Sequence, residues 1–226
     1  MTTSATLLPE LKLAAQTGAR FIAGVDEVGR GALAGPVTVG VVVMDLQALP
    51  ASVRSAGCWE ALDGVRDSKL LTAAARTQWH PRICEHAAAF SVQHRSAEAI
   101  DAAGLTAALS AAGRAGLREV EAQLSRPVDL VLLDGVHDWL TAGGSARVHT
   151  LAKADTLSLT VACASVLAKV ERDELMRQLA TEHPDYAWDS NKGYGSPAHR
   201  EAIRAHGPTS YHRRSWNLGV PAPAEA

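Results

Sequence analysis

The residues best suited to chemistry are acids placed where apolar runs end. Phe21-Ile22-Ala23-Gly24-Val25 leads directly into Asp26 and Glu27, and then into Gly29-Arg30-Gly31. A second apolar run, 128–133, ends at Asp134, and a third, 148–153, is followed by Asp155. Adjacent acids repel each other and glycines weaken a strand, so the first junction is costly unless it is used. A divalent cation on the acids and a nucleic-acid backbone against the glycines would account for both; the plainer alternative is an exposed strand end with a glycine-rich turn. In an open α/β sheet, residues at strand ends gather along one edge. Four carboxylates brought together would need a partner or a proton. Oxygen-rich, sulfur-free ligation suits Mg²⁺ or Mn²⁺. Such a set can hold two ions about 4 Å apart, the arrangement that serves phosphodiester hydrolysis. Alternation along a strand points Asp26 and Glu27 to opposite faces, so the strand is expected to end or bulge there. Otherwise one of the two is a surface charge.

The elements that must position these acids read as a mixed α/β fold. A leading helix is predicted over 5–17, strands over 20–27 and 37–44, and a short turn joins the strands as an antiparallel pair. Residues 45–65 read as a loop with a helical turn. A helix follows from Thr72 to about His86, with Pro81 expected to kink or split it. Residues 89–94 alternate as a strand, and 97–103 form a short helix closed by Gly104. Leu105, Leu109, Leu117, Val120 and Leu124 fall at helical spacing before Pro127. Gly143-Gly144 marks a loop before the strand at 148–153. The best-defined helix runs over 157–182, with Leu159, Cys163, Val166 and Val170 as its apolar stripe. Ser158, Ser165, Lys169, Arg172 and Asp173 make a separate polar stripe. Ser196-Pro197 opens a last helix, ending near Gly207-Pro208.

At 226 residues and 47% hydrophobic, the chain can bury a substantial core in one compact unit. Net charge is only −2, yet the segment 190–216 carries +4, leaving −6 elsewhere. Cys58, Cys84 and Cys163 share no metal-like spacing and read as reduced thiols of a cytoplasmic protein. Neither a signal peptide nor a membrane span is legible.

Together the motifs resemble ribonuclease HII, the type 2 ribonuclease H family. The resemblance is carried by Asp26-Glu27-Val28-Gly29-Arg30-Gly31 with Ala34-Gly35-Pro36, by Asp67-Ser68-Lys69, by Leu133-Asp134-Gly135 and by Lys153-Ala154-Asp155. It continues through Ala164-Ser165-Val166-Leu167-Ala168-Lys169-Val170 with Arg172-Asp173, then Gly193-Tyr194-Gly195 with His199, Gly207-Pro208 and His212-Arg213-Arg214-Ser215. The blocks stand in family order over about residues 20 to 216.

The resemblance implies an RNase H-like mixed sheet flanked by helices, with a helical C-terminal extension. It places a catalytic domain at 18–183, a substrate-binding extension of the same unit at 184–217 and a flexible tail at 218–226. It implies an endonuclease that cuts the RNA strand of RNA–DNA hybrids and incises beside single ribonucleotides in duplex DNA. Asp26, Glu27, Asp134 and Asp155 would be the catalytic, metal-binding carboxylates, taking Mg²⁺ or Mn²⁺ in a two-ion site. Gly29, Arg30 and Gly31 would meet the ribonucleotide and its 2′-hydroxyl, the group that tells RNA from DNA. Tyr194 would stack on the sugar at the junction, and Lys69, Ser165 and Lys169 would contact phosphates with the basic C-terminal segment. Ala154, Leu70, Ser196 and Trp216 depart from the usual glycine, lysine, threonine and phenylalanine, and none removes a catalytic oxygen. Arg172 and Asp173 read as a structural pair. Asp63, Asp67 and Asp138 read as solvated loop residues, and the nine histidines as surface or structural. A monomer is the default expectation. The rival readings are a non-catalytic module binding hybrid or duplex nucleic acid, and a metal-dependent phosphatase acting on small esters.

Overall fold

The computed structural model describes residues 4–141 and 148–220. The first half comprises α1 (Leu8–Thr17), β1 (Phe21–Val28), β2 (Val37–Asp45), α2 (Ala51–Ala56), α3 (Ala73–His86), β3 (Ala89–Arg95), α4 (Ala97–Ala103) and α5 (Leu105–Leu124). The second comprises β4 (Leu130–Asp134), β5 (Val148–Leu151), α6 (Ala154–Leu157), α7 (Leu159–Glu182), α8 (Trp188–Asn191) and α9 (Pro197–His206). One five-stranded sheet has the order β3-β2-β1-β4-β5. β1 pairs antiparallel with β2 and parallel with β4, β2 pairs antiparallel with β3, and β4 pairs parallel with β5. No helix among the described residues is long and apolar enough to cross a membrane.

The sheet is buried on both faces, as the unbroken valine run of β2 implies. Ile22, Val42, Met44, Leu130 and Leu132 pack beneath α7. Ala23, Val25, Val39, Val41, Val43, Val131 and Leu133 pack beneath α5. A third cluster joins Leu33, Ala34, Met176, Tyr186, Trp188 and Ile203, tying the C-terminal segment to the far end of α7 and the loop after β1. Packing continues through Leu218 and Val220, past the expected boundary at 217.

Where α7 crosses the sheet the two elements touch backbone to backbone. A Cβ on Gly24 would run into the main chain of Thr160 and Val161, and one on Gly40 into the carbonyl of Ala164. From Leu159 to Ala168 every residue of α7 is buried, so its first half has no solvent face and no single apolar stripe.

Several expectations are corrected. The leading helix starts at Leu8, because Thr6 instead bridges to Ser158. The stretch after β2, read as a loop with one helical turn, holds two helical segments, α2 and a 3-10 turn at Glu60–Leu62. α3 passes unbroken through Pro81: the carbonyl deprived of a donor belongs to Thr77, and both residues are exposed to water. The 157–182 helix is divided at Ser158, an N-cap whose hydroxyl accepts from the Val161 N–H. The Gly143-Gly144 loop lies outside the described residues.

Glu10, legible in sequence only as a charge interrupting an apolar stretch, is wholly buried. Its Oε1 accepts from Ser158 Oγ (2.6 Å), Thr160 Oγ1 (2.7 Å) and the Thr160 backbone N–H (2.9 Å). The carboxylate thereby caps α7 from α1 and uses its unpaired N–H groups. Burial raises its pKa against the pull of those hydrogen bonds.

The close crossing at Gly24 gives a stability test. Gly24→Ala is expected to destabilise the fold by about 1–3 kcal/mol, since only backbone could yield to the added methyl. Urea unfolding should show a lower midpoint with an unchanged slope.

Candidate active site

β1 delivers the first two acids without a bulge. Its register with β2 is continuous from Phe21↔Asp45 to Val28↔Thr38, which corrects the expectation that the strand ends or bulges at the acidic pair. By alternation, Asp26 follows Ile22 and Gly24 toward α7, whereas Glu27 follows Ala23 and Val25 toward the α5 side. They still act on each other and on Asp134 through space. Asp26 is 3% exposed, and burial first, then Glu27, then Asp134, drive its pKa well above the usual range. Glu27 is also raised, by burial and by Asp134, while Arg30 opposes the shift.

Asp134 ends β4, and its Oδ1 accepts from the Ala154 N–H at 2.7 Å. Asp155 is not at a strand end. β5 stops at Leu151, Lys153 takes a left-handed conformation at φ 58°, and Asp155 falls in the first turn of α6. Its pKa is raised by burial, then by Asp134 and Asp67. Lys69 is the cation facing this group, with Nζ 3.5 Å from Asp155 Oδ2 and 3.7 Å from Asp67 Oδ1. Asp67, expected in solvent, is buried and accepts from the Lys69 N–H, which fixes the Ser68–Leu70 turn.

Among the described residues, no three His, Cys, Asp or Glu side chains stand close enough together to hold an ion as they are. The four acids share an electrostatic field rather than a formed coordination shell. Their chemistry nevertheless fits a hard divalent cation: the donors are all oxygen, and Glu27 Oε2 is buried without a hydrogen-bond partner among the described residues.

Beside the acids lies the loop from Gly29 to Pro36, built on two buried guanidinium groups. Arg213 donates to the carbonyls of Gly29 (2.6 Å), Arg30 (2.8 Å) and Gly35 (3.3 Å). Arg172 donates to those of Pro36 (2.8 Å), Ala34 (3.2 Å) and Lys192 (2.9 Å). Gly29 lies at φ 82° with Arg172 hard against it, a place where only hydrogen fits. Burial lowers both arginine pKa values, that of Arg213 to about 10. Tyr194 closes the loop: its hydroxyl accepts from the Gly29 N–H at 3.2 Å, and its ring, 37% exposed, lies 5.5 Å from the Arg172 guanidinium carbon. Arg30 and Gly31 are exposed, and Arg30 Nη1 reaches Glu27 Oε1 at 3.1 Å.

Other anticipated contacts sit deeper. Ser165 is buried and donates to Ser68 Oγ at 2.8 Å. Lys169 is held by Asp173 at 2.6 Å, and Arg76 approaches Asp173 at 3.6 Å. Arg172 and Asp173 are thus both structural, but each is joined to other partners by hydrogen bonds. Nothing in the sequence distinguished Arg213 from its exposed neighbours in the basic segment, because a lone arginine is usually a surface residue.

The raised carboxylates give a pH test. A group whose folded pKa lies above its unfolded value destabilises the fold as pH rises past the unfolded value. Asp26→Asn, which keeps an acceptor for the Glu27 N–H, should therefore stabilise the metal-free protein at pH 7 by about 1 kcal/mol. Thermal melts should show that gain shrinking as pH falls toward 4.

Comparison with known proteins agrees with this architecture. Residues 23–218 match the family model described as Ribonuclease HII. A ribonuclease HII of Streptomyces avermitilis is 45% identical over 207 residues, covering 92% of this chain and 81% of that one. One of Roseobacter denitrificans is 40% identical over 199 residues, covering 88% and 91%. The ribonuclease H2 structure from Pyrococcus horikoshii superposes with a TM-score of 0.69 at 24% identity, covering 88% and 94%. Bst-RNase HIII in complex with Mn²⁺ superposes with a TM-score of 0.64 at 22% identity, covering 91% and 70%. With the family model spanning nearly its whole length, the chain belongs to the ribonuclease HII family, hydrolases of the RNA strand in RNA–DNA hybrids.

Proposed function

We propose that this chain, beyond cutting long hybrids, incises duplex DNA on the 5′ side of a single embedded ribonucleotide, leaving 3′-hydroxyl and 5′-phosphate ends. The observation that carries the reading is the exposed Tyr194 ring, bonded through its hydroxyl to the Gly29 N–H beside the four acids. Asp26, Glu27, Asp134 and Asp155 would hold Mg²⁺ or Mn²⁺, a two-ion set supplying water activation and stabilisation of the leaving oxygen. Lys69 offsets their charge until the cations bind.

Substrate selection falls to the loop and the ring. With several of the loop's carbonyls, that of Arg30 among them, tied to Arg172 and Arg213, the exposed backbone of Gly31, with the Arg30 side chain beside it, is left for the 2′-hydroxyl and neighbouring phosphate. Tyr194 stacks on the sugar at the RNA–DNA junction. Lys69, with a side chain 68% exposed, contacts phosphate. For Ser165 and Lys169, the bonds to Ser68 and Asp173 favour support beneath the phosphate path over direct contact. Backbone affinity without sequence preference, falling with salt, comes from the exposed basic residues of the C-terminal segment. Residues 184–217 act as the substrate-binding part of one compact unit with 18–183.

The test is a labelled DNA duplex with one ribonucleotide, run beside an all-DNA duplex and an RNA–DNA hybrid. A single cut 5′ to the ribonucleotide is expected, lost with chelator and in Asp134→Asn. Cutting of the long hybrid alone would remove the junction role of Tyr194, and binding without cutting would favour a non-catalytic module. Tyr194→Ala should lower incision at the lone ribonucleotide by roughly 10- to 100-fold, stacking being worth about 1–3 kcal/mol. Its melting temperature should stay near that of the parent; an equal loss of both would assign Tyr194 to packing.

A further inference from the structure

Behind Tyr194 lies a buried chain of hydrogen bonds that the proposed chemistry does not use. His199, on α9, and His212 are 0% and 1% exposed, and Trp188 beside them is 0% exposed. His199 Nδ1 is 2.9 Å from the carbonyl oxygen of Tyr194, which can only accept, so Nδ1 carries the proton. His199 Nε2 receives the Trp188 indole N–H at 3.0 Å and is therefore unprotonated. His212 Nε2, 3.1 Å away, must then donate to it. The far side agrees: His212 Nδ1 accepts from the Thr209 backbone N–H at 3.0 Å. The donors at both ends thus leave one consistent pair of neutral tautomers.

From this network we infer that His199 is a positioning residue for Tyr194, its Nδ1–H fixing the Tyr194 carbonyl while Trp188 and His212 set the tautomer. The inference rests on the reading that Tyr194 meets the ribonucleotide, and gives that ring a defined support. Tyr194 is held at two ends, by its hydroxyl on Gly29 and by its carbonyl on His199 and the Ser196 N–H. His199 is itself anchored, since its backbone N–H donates to the N-cap Ser196 Oγ at 3.2 Å. Loss of the His199 bond leaves the carbonyl on the Ser196 N–H alone, while the Tyr194 N–H still donates to the Asn191 carbonyl, so the Gly193-Tyr194-Gly195 turn loosens and the exposed ring shifts with it. Burial favours the neutral state of both rings and takes His212 down to about 4, so the chain of bonds persists at neutral pH.

Two substitutions separate the roles of the two ring nitrogens. His199→Asn leaves an amide donor where Nδ1 stood and removes the Nε2 acceptor. His199→Gln leaves an acceptor near Nε2 and removes the donor to Tyr194. Both lack the imidazole, so ring-current effects are shared. With tyrosines carrying ¹³C-labelled rings and Tyr194 assigned from Tyr194→Phe, the Tyr194 signal should move or broaden in His199→Gln relative to His199→Asn. The same Gln variant should lose about tenfold in kcat/KM on the single-ribonucleotide duplex, mainly through KM, while the Asn variant keeps it at a lower Tm. An unmoved Tyr194 signal in His199→Gln, or identical behaviour of the two variants, overturns the inference. A moved signal with unchanged incision upholds the positioning and sinks the substrate role of Tyr194 instead. Should His199→Gln fail to fold, ¹⁵N-histidine spectra of the unsubstituted protein decide: His199 protonated at Nδ1 and His212 at Nε2 sustains it, and the reverse tautomers overturn it.

Discussion

Two buried guanidinium groups hold this site together. Arg172 and Arg213 enter the interior with no carboxylate of the described residues bonded to either, and satisfy their donors on backbone carbonyls of the loop from Gly29 to Pro36 and of Lys192. A planar fork of five N–H groups on three nitrogens can serve several carbonyls at once in a fixed, spread geometry, whereas a lysine offers three donors from a single nitrogen. The arrangement fixes an irregular loop that would otherwise leave polar backbone groups unpaired. It also sets the loop's exposed backbone, the Tyr194 ring and the acids of β1 against one another.

The acids and the loop depend on the sheet in different ways. Asp26 is placed by the unbroken β1–β2 ladder, and Asp134 by the parallel pairing of β4 with β1. α7 can lie close over these strands because Gly24 and Gly40 offer no side chain beneath it. That closeness buries Asp26 and raises its pKa, so the site is electrostatically strained before any cation is bound. Lys69, fixed by Asp67 and exposed on its outer side, relieves part of this field. A cation-dependent hydrolase tolerates such strain because binding of the ion removes it.

Much was legible along the chain because it depended on local pattern. The valine run of 37–44 announced a strand buried on both faces, and the helices of 97–103 and 105–124 followed from spacing, Gly104 and Pro127. The ordered motifs identified the family and nominated Asp26, Glu27, Asp134 and Asp155 together. Misreadings arose where a distant partner overrode a local rule. Asp67 read as solvated because its burial comes from the turn folding in beside Ser165 and Lys69. Ser158 fell on a helical stripe because nothing nearby in sequence reveals that Glu10 reaches across to it. Asp155 seemed to end a strand, since the left-handed turn at Lys153 has no glycine to mark it.

What the sequence alone determined is the α/β class and the family, and it nominated the four acids, since these reside in residue type and order. Tertiary structure decided the rest. It took Arg172, Arg213, His199 and His212 inside, where polar groups are nearly always held by hydrogen bonds. Those partners stand up to 184 residues away in the chain, so no local window contains them. The same long-range pairing decided that β1 would run straight through its two acids. Eight consecutive pairs with β2 hold the strand regular, and the repulsion between adjacent carboxylates does not break that ladder.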